Sequence, residues 1–436
     1  MDSIPDGKWQ RTFSSGKTAA KIGGKVLNYL SKKPFLSAKG KKKARAELDR
    51  KSAKILFDGL SMLKGTALKA AQMLSMELDI FPEQVRKELE KSYHQVPPMN
   101  RALIRKIVSN YYQNPPEKIF KSFDDQAFAA ASLGQVHKAI SRDNTEFAIK
   151  VQYPGIKNTI GHDMAIARIV LKPMPEYKLI LQAMAEIEEV LLLETDYILE
   201  AENQQFFQDN LNMEKVYIPS VYKEYSTEKI LCQEFLNGPT LDQWLKTNPD
   251  QAAIDRIAQI LHDIFLYSFY ELHCIHADPN PGNFIIMDNS VAGLLDFGCI
   301  KYFDTDFVEL YRQFVSVSMS CKRGEYADLL IKLNLLSKDL KPGIFEELVD
   351  CFVMIGKWFG SLYHEEFFDF KQNPQFFIEG RKILYSLQKH RKHFESINSN
   401  FIFLDRTRYG LLRLFEKMGA RIRVQNRYEN PRGAQL

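Results

Sequence analysis

The sequence has no long run of uncharged apolar residues. The closest approach is the stretch from Ile254 to Ile275, which charged side chains interrupt at Asp255, Arg256, Asp263 and Glu271. A helix that crosses a bilayer needs about 20 predominantly apolar residues. We therefore expect no transmembrane helix, and we interpret this stretch as a buried amphipathic helix.

Cysteine is also scarce, and the five cysteines are scattered along the chain. They stand at positions 232, 274, 299, 321 and 351, with no CxxC pair and no spacing typical of metal ligands. Dense cysteine frameworks belong to small proteins of oxidising compartments. The pattern here indicates buried, reduced thiols in a reducing compartment.

The 436 residues otherwise have the composition of an ordinary globular protein, with 45% apolar and 26% charged residues. The charge is uneven, because residues 1–54 carry a net charge of +11 while the whole chain carries +5. Such a basic segment indicates a flexible solvated tail or a contact with an anionic membrane surface. We give less weight to an organelle transit peptide, and we expect no nucleic-acid partner.

A polar cluster between His276 and Gly298 carries the strongest functional signal in the chain. It contains, in order, Asp278, Asn283 and Asp296. Kinase folds handle Mg-ATP with an aspartate near the transferred phosphate, followed by an asparagine and an aspartate on the metal ions. The cluster therefore predicts Asp278 as the catalytic carboxylate, with Asn283 and Asp296 as Mg²⁺ ligands. Taken alone, the same residues could cap a turn rich in proline and glycine.

A phosphate-binding loop must then lie upstream. The segment from Ala129 to Val136 has the layout of the kinase loop GxGxxGxV, with alanine at the first two glycine positions. Glycine at these positions lets backbone N–H groups approach the phosphates without a side chain in the way. Taken alone, the segment is more simply a turn of small residues. In this context we predict that it binds nucleotide through Ala129, Ala130, Ala131, Ser132, Gly134 and Val136.

A kinase fold also needs a lysine and a carboxylate that holds it. Lys150 follows Val136 by fourteen residues in a predicted strand, and we interpret it as the catalytic, phosphate-contacting lysine. Further on, Asp196, Glu200 and Asn203 are spaced to share one helical face, which taken alone could be a solvated acidic surface. We predict Glu200 as the partner of Lys150. The fifty residues between them require inserted helices.

Together these motifs resemble the UbiB/AarF family of atypical kinase-like proteins, which is associated with coenzyme Q biosynthesis. The resemblance runs from about residue 55 to the segment Phe403–Thr407. The matching segments are Ala127–His137, Ala148–Gly155, Glu194–Asn203, His276–Asn283 and Asp296–Gly298.

The resemblance adds a group of residues that the spacing alone does not single out. The family carries a KxGQ motif on an N-terminal helix, and Lys69-Ala-Ala71-Gln72 occupies that place here, with alanine in place of glycine. The resemblance implies that Lys69 and Gln72 enter the nucleotide cleft, where Lys69 would face the carboxylates of Glu194 and Asp196. It also implies that this extension and the alanine-rich loop disfavour protein kinase activity. Consistently, no Ala-Pro-Glu follows Asp296-Phe-Gly at the usual distance.

The predicted fold class is α+β: a bilobal protein-kinase-like fold with a helical N-terminal extension and a mostly helical C-terminal lobe. The predicted segments are a basic N-terminal segment (1–54), a helical extension with the KxGQ-like motif (55–118), an N-lobe with inserted helices (119–236) and a mostly helical C-lobe with the catalytic and metal motifs (237–436).

The predicted function is that of an atypical kinase or ATPase that uses ATP and Mg²⁺. The resemblance implies an isoprenoid lipid or quinone precursor, an anionic membrane surface and quinone-biosynthesis proteins as partners. It also implies a peripheral membrane location, in a bacterial cytoplasm or an organelle matrix. Two alternatives stay open. One is a small-molecule phosphotransferase of the aminoglycoside or choline kinase type, and the other is a lipid-binding protein that ATP switches without productive turnover.

Overall fold

The computed structural model describes residues 99–131, 133–172, 177–320, 322–387 and 398–429. The predicted basic segment and residues 55–98 of the predicted helical extension, with Lys69 and Gln72, lie outside these residues, as does Ser132. Within the described residues, no helix combines the length and the apolar character needed to cross a membrane. Four of the five cysteines are described, and all four are buried free thiols, as predicted.

The described chain alternates between short strands and longer helices. In chain order the strands are β1 (Ser122–Phe123), β2 (Ala129–Ala131), β3 (Gly134–Ile140), β4 (Glu146–Gln152), β5 (Val216–Tyr217), β6 (Ile230–Glu234), β7 (Cys274–His276), β8 (Phe284–Met287), β9 (Val291–Leu294), β10 (Ile300–Tyr302), β11 (Phe367–Asp369) and β12 (Arg421–Arg423). The helices are α1 (Arg101–Tyr112), α2 (Pro116–Ile119), α3 (Ile156–Leu171), α4 (Tyr177–Leu193), α5 (Tyr197–Asn210), α6 (Leu241–Leu245), α7 (Gln251–Tyr270), α8 (Thr305–Ser320), α9 (Arg323–Lys332), α10 (Pro342–Gly360), α11 (Phe376–Leu387) and α12 (Ser399–Met418).

The chain divides into two compact units, each made of two chain segments. The first comprises the described residues up to Glu202 together with Val221–Phe235, and the second comprises Asn203–Ser220 together with the described residues from Leu236 onward. The domain boundaries predicted from the sequence stay predictions.

The first unit is built on an antiparallel sheet in the order β1-β3-β4-β6, with β2 paired to β3. Strand β4 lies between two neighbours and is buried along almost its whole length, which explains its nearly continuous apolar sequence. The turn between β3 and β4 spans Ser141–Thr145, and Asn144 there has a φ of 71°. Asparagine tolerates this left-handed conformation better than most residues.

Helices cover the sheet of the first unit and fill the long connection after β4. Helix α1 begins after Asn100, whose side chain accepts a hydrogen bond from the Ala102 N–H, and its buried residues join the same core as Phe120 and Phe147. The connection between β4 and Glu200 contains α3 and α4, which are the inserted helices that the sequence predicted.

The second unit is mostly helical, as predicted for the C-terminal part of the chain. Its central helix, α7, begins after Asp250, whose side chain caps the Ala253 N–H. The buried positions Ile257, Leu261, Phe265 and Phe269 recur every four residues along this helix. This confirms a buried amphipathic helix in the stretch that came closest to a membrane span.

Short strands of the second unit bring the polar motifs of the sequence to one region. Strands β8 and β9 form a hairpin, with β5 parallel to β9, and β7 pairs with β10. The polar cluster identified in the sequence occupies the connections between these strands.

Candidate active site

The predicted phosphate-binding loop is the β2–β3 hairpin of the first unit. Ala129 pairs with Val136, Ala130 with Gln135, and Ala131 with Gly134. The third glycine position of the loop pattern is still glycine, Gly134, for a steric reason: a Cβ atom there would lie 2.3 Å from the backbone oxygen of Val151. It would also lie 2.9 Å from the Tyr197 hydroxyl. A side chain at position 134 would therefore push β3 away from β4.

Lys150 and Glu200 form a buried ion pair in the first unit. Lys150 lies in the centre of β4, opposite Val136 of the predicted phosphate hairpin. Its Nζ donates to both carboxylate oxygens of Glu200, at 2.7 Å to Oε1 and 2.9 Å to Oε2. Only 9% of the lysine side chain and 2% of the glutamate side chain are exposed. A buried ammonium needs such a partner, since desolvation otherwise favours its neutral form.

The other two carboxylates predicted for this region differ from one another. Glu194 is buried at the end of α4, whereas Asp196 is exposed. Asp196 precedes α5 and caps it, because its Oδ1 accepts hydrogen bonds from the N–H groups of Ile198 and Leu199 at 3.2 and 3.1 Å. Asp196 thus stands at the start of the predicted helical face, directly before Tyr197, and its backbone oxygen accepts the Glu200 N–H at 3.0 Å. A role for Glu194 and Asp196 toward Lys69 stays a prediction.

The predicted catalytic loop of the second unit is held by its own side chains. Asn280 begins a single 3₁₀ turn and accepts a hydrogen bond from Gly282 N–H at 2.9 Å. Asn283 Nδ2 then donates to Asp278, at 3.2 Å to the backbone oxygen and 3.1 Å to Oδ2. These bonds fix the aspartate relative to the asparagine. With Nδ2 held by Asp278, the amide oxygen Oδ1 is the atom of Asn283 that would ligate a metal.

The β8–β9 hairpin brings the two predicted metal ligands to the same end of the sheet. Asn283 directly precedes β8, and Asp296 follows β9 by two residues. Phe284 pairs with Leu294, and the Leu295 N–H donates to the backbone carbonyl oxygen of Asn283 at 2.9 Å. The strand pairing thus explains why residues thirteen apart in the sequence belong to one site.

The donor set suits magnesium better than zinc. The described residues contain no group of three or more histidine, cysteine, aspartate or glutamate side chains that could enclose a metal ion. Mg²⁺ is usually bound by one or two protein oxygen ligands and completes its octahedron with water and phosphate. An amide oxygen from Asn283 and a carboxylate from Asp296 fit that requirement.

Two contacts near this loop were not predicted from the sequence. His276 Nε2 donates to the Leu295 backbone oxygen at 3.0 Å, which ties the strand before the loop to the residue before Asp296. Helix α12 approaches the loop so closely that a Cβ atom at Gly410 would lie 2.8 Å from Cγ of Pro279. A glycine inside a helical pattern is the sequence signal that could have indicated this contact.

A family of known proteins matches more than half of the chain. Residues 91–326 match the family described as the ABC1 atypical kinase-like domain. The chain is 27% identical over 383 residues to the "Probable serine/threonine-protein kinase abkA" of Dictyostelium discoideum, which covers 83% of this chain and 68% of that protein. It is 32% identical over 320 residues to "Protein ACTIVITY OF BC1 COMPLEX KINASE 8, chloroplastic" of Arabidopsis thaliana, covering 67% and 41% respectively.

A mitochondrial relative and a solved structure extend the comparison. The chain is 27% identical over 365 residues to "Atypical kinase COQ8B, mitochondrial" of Rattus norvegicus, covering 82% of this chain and 69% of that protein. The structure of an Rv3197–erythromycin complex from Mycobacterium tuberculosis matches with a TM-score of 0.57 and 23% identity, over 88% of this chain and 96% of that chain. At that identity the likeness concerns the fold alone. With the family match, it confirms the predicted α+β, kinase-like fold.

Proposed function

The chain belongs to the ABC1 atypical kinase-like family, and from this premise we propose that it binds Mg-ATP and cleaves the bond to its terminal phosphoryl group. Family membership agrees with the prediction of an atypical kinase. The observation that carries the nucleotide proposal is the buried pair of Lys150 and Glu200. A lysine on a buried strand, held by a helix glutamate and paired with the phosphate hairpin, is the arrangement that kinases use for the nucleotide phosphates.

Lys150 would hold the α- and β-phosphates, and Glu200 would orient it. The ammonium carries three donors on a flexible stem, so it can keep one bond to Glu200 while it donates to a phosphate oxygen. The hairpin with Ala129, Ala131 and Gly134 would lie along the phosphates. The methyl groups of the two alanines should limit how closely the backbone N–H groups reach them.

Asp278, Asn283 and Asp296 would supply the reaction chemistry from the second unit. Asp278 would accept a proton from the attacking hydroxyl or water, or would orient its oxygen. Asn283 Oδ1 and the Asp296 carboxylate would hold Mg²⁺. When bound, the ion would neutralise the phosphate charge and polarise the terminal phosphoryl group.

For the substrate, we propose an isoprenoid quinone precursor or a related lipid rather than a protein. The support is the family resemblance, together with the name COQ8 among the mitochondrial relatives, which are described as atypical kinases. Two alternatives make different demands. A phosphotransferase of the aminoglycoside or choline kinase type would phosphorylate a soluble alcohol without lipid. An ATP-switched lipid-binding protein would bind nucleotide without turnover.

ATP hydrolysis by the purified protein separates these three activities. We expect a basal rate that anionic liposomes or a quinone-precursor mimic increase, and that Asp278→Asn abolishes. Hydrolysis or transfer that needs only a soluble alcohol would favour the small-molecule phosphotransferase. Binding of Mg-ATP with no turnover under any of these conditions would favour the switch.

The basic segment at residues 1–54 is the proposed membrane contact. Its net charge of +11 would attract anionic lipid headgroups, with a strength that falls as salt screens the charges. Deletion of residues 1–40 should weaken liposome binding more at low salt than at high salt. Equal binding by the shortened and full-length proteins would remove this role from the segment.

A further inference from the structure

The predicted metal ligand Asp296 has an unusual backbone conformation. Its φ is +63°, in the left-handed region that residues other than glycine rarely adopt. Such a conformation persists only where the surroundings hold it, and it occurs most often at functional sites. The contacts that hold Asp296 are therefore of functional interest.

Two side chains bind the backbone carbonyls on either side of Asp296. His276 Nε2 donates to the carbonyl of Leu295 at 3.0 Å, on the preceding residue. Asn203 Nδ2 donates to the carbonyl of Phe297 at 3.1 Å, on the following residue. The Leu295 carbonyl belongs to the peptide group that sets φ of Asp296, and the Phe297 carbonyl belongs to the peptide group one residue beyond Asp296. Side chains from distant parts of the second unit thus hold the backbone on both sides of Asp296.

The orientation of the Asn203 amide is itself fixed. Asn203 is 5% exposed, and the hydroxyl of Tyr302 donates to its Oδ1 at 3.0 Å. Partial burial, together with the nearby Cys274 thiol, raises the pKa of Tyr302, so the phenol keeps its proton at neutral pH. Because the Phe297 carbonyl can only accept, Nδ2 must face it, and Oδ1 then accepts from the Tyr302 hydroxyl.

We propose that Asn203 is a positioning residue for the metal site. It holds the Phe297 peptide, together with His276 on the other side, so that the Asp296 carboxylate stays ready to bind Mg²⁺. The proposal rests on the function proposed above, because it needs Asp296 to be a metal ligand. Asn203 itself contacts neither metal nor nucleotide in this account.

The next residue along α5 provides a matched control. Gln204 is fully buried, and its Nε2 donates to the Pro219 carbonyl at 2.7 Å, away from the Asp296 segment. Asn203→Asp and Gln204→Glu make the same chemical change, since each replaces a buried amide donor with a carboxylate that faces a carbonyl oxygen. Both should lower thermal stability. Only Asn203→Asp should change metal binding.

The test is a Mg²⁺ titration of full-length protein at fixed ATP concentration, followed by thermal shift. Asn203→Asp should raise the half-saturating Mg²⁺ concentration about tenfold, while ATP binding in excess EDTA stays as in the wild type. Gln204→Glu should leave that concentration unchanged. Tyr302→Phe, which keeps the Phe297 bond but removes the donor to Oδ1, should raise it about twofold to threefold.

Several outcomes would overturn the proposal. One is wild-type Mg²⁺ dependence in Asn203→Asp while Asp296→Asn loses the response. Another is an equal increase in Gln204→Glu. Should Asn203→Asp not fold, Asn203→Ala removes the donor without adding a charge, and an unchanged titration with it would also overturn the proposal. An unchanged Mg²⁺ response in Asp296→Asn would instead contradict the proposed metal site.

Discussion

The two units each contain a buried ion pair, and the pairs differ in the cation on which they are built. Lys150 and Glu200 form the pair of the first unit, and Arg408 and Glu429 form the pair of the second. The side chains of all four residues are at most 9% exposed. Burial alone therefore does not separate a functional pair from a structural one.

The pair in the second unit is closed by further hydrogen bonds. Arg408 donates to both oxygens of Glu429, at 2.6 and 2.7 Å. Tyr270 donates to one of these oxygens at 2.8 Å and Tyr363 to the other at 2.6 Å. The guanidinium also lies 4.6 Å from the ring centre of Phe359. Such saturation by fixed groups is what a buried pair needs in order to stabilise a fold.

The pair in the first unit is built on a more adaptable cation. Lys150 presents a compact ammonium at the end of a rotatable stem, and its ring contact is Tyr197 at 5.2 Å. An ammonium can exchange one acceptor for another, whereas a planar guanidinium in a fixed fork cannot do so without losing both bonds. This difference supports the proposed nucleotide-binding role of Lys150, and it favours a structural role for Arg408.

Breaking the structural pair should give the largest loss of stability. Arg408→Met leaves the Glu429 carboxylate buried without its cation, and should lower the free energy of unfolding by about 3–5 kcal/mol. Chemical denaturation measures this change. Arg413→Met removes an exposed partner of Glu416 on the same helix and should cost less than about 1 kcal/mol. Similar losses in the two variants would show that the buried pair has no special role.

Acid should lower the free energy of unfolding through His262, which is buried near the pair of Arg408 and Glu429. Burial lowers the pKa of His262 to about 4. The negative charge of Glu429 opposes this shift, and the positive charge of Arg408 adds to it. The folded state therefore holds this histidine neutral, while the unfolded chain binds a proton below its ordinary pKa of about 6.5. The free energy of unfolding therefore has its full value, as far as His262 is concerned, above about pH 6.5. It falls by up to about 3 kcal/mol as the pH drops to about 4.

The measurement is the free energy of unfolding between pH 7.5 and pH 4, by denaturant titration. His262→Gln should reduce the loss of stability across this range, and His364→Gln, at an exposed position, should not. The pKa of Glu429 adds a loss at lower pH. Burial by itself would raise that pKa, but Arg408 and the tyrosine hydroxyls lower it below its usual value. An identical pH profile in His262→Gln would contradict the assignment of the slope.

Replacing both members of each pair separates function from support most clearly. Lys150→Met with Glu200→Gln should leave a folded protein, because no buried charge stays unpaired. It should lose the stabilisation by Mg-ATP, which is about 2.7 kcal/mol in the wild type at a ligand concentration of 100 Kd. Arg408→Met with Glu429→Gln should keep that stabilisation. Thermal shift with and without Mg-ATP checks both double variants, and a retained response in the first would remove Lys150 from the nucleotide site.

A smaller effect should follow from crowding the predicted catalytic loop. Gly410→Ala places a methyl group against Pro279, so it should cost about 1–2 kcal/mol of stability and lower ATP turnover more than ATP affinity. Gly324→Ala in α9 meets no atom within 4 Å and should be neutral or slightly stabilising. Unchanged turnover in Gly410→Ala would show that the loop yields to the added methyl group without consequence.

Much of the first unit's candidate site was readable from the sequence. The order of the motifs gave Lys150 and Glu200 as partners, and the fifty residues between them required the helices that the structure shows as α3 and α4. Spacing alone did not reveal the capping role of Asp196. Three polar residues at helical intervals fit a helical face, but aspartate is also a preferred N-cap residue, and its side chain here binds the N–H groups at the start of α5.

The contacts that hold the second unit's candidate site could not be read in this way. Asn203 and Phe297 are 94 residues apart, and Glu429 lies 21 residues after Arg408, beyond β12. Pairs of this kind leave no periodic pattern and no motif, because they depend on how distant elements pack. Sequence reasoning therefore identified the groups that would touch Mg-ATP more readily than the groups that hold them in place.

The most direct test of the account is Mg-ATP binding by the full-length protein, measured by calorimetry in the wild type and in Asp296→Asn. We predict that the wild type binds ATP with an affinity that depends on Mg²⁺, and that Asp296→Asn loses this dependence while its fold, checked by circular dichroism, is preserved. Equal Mg²⁺-dependent affinity in the two proteins would contradict the central claim.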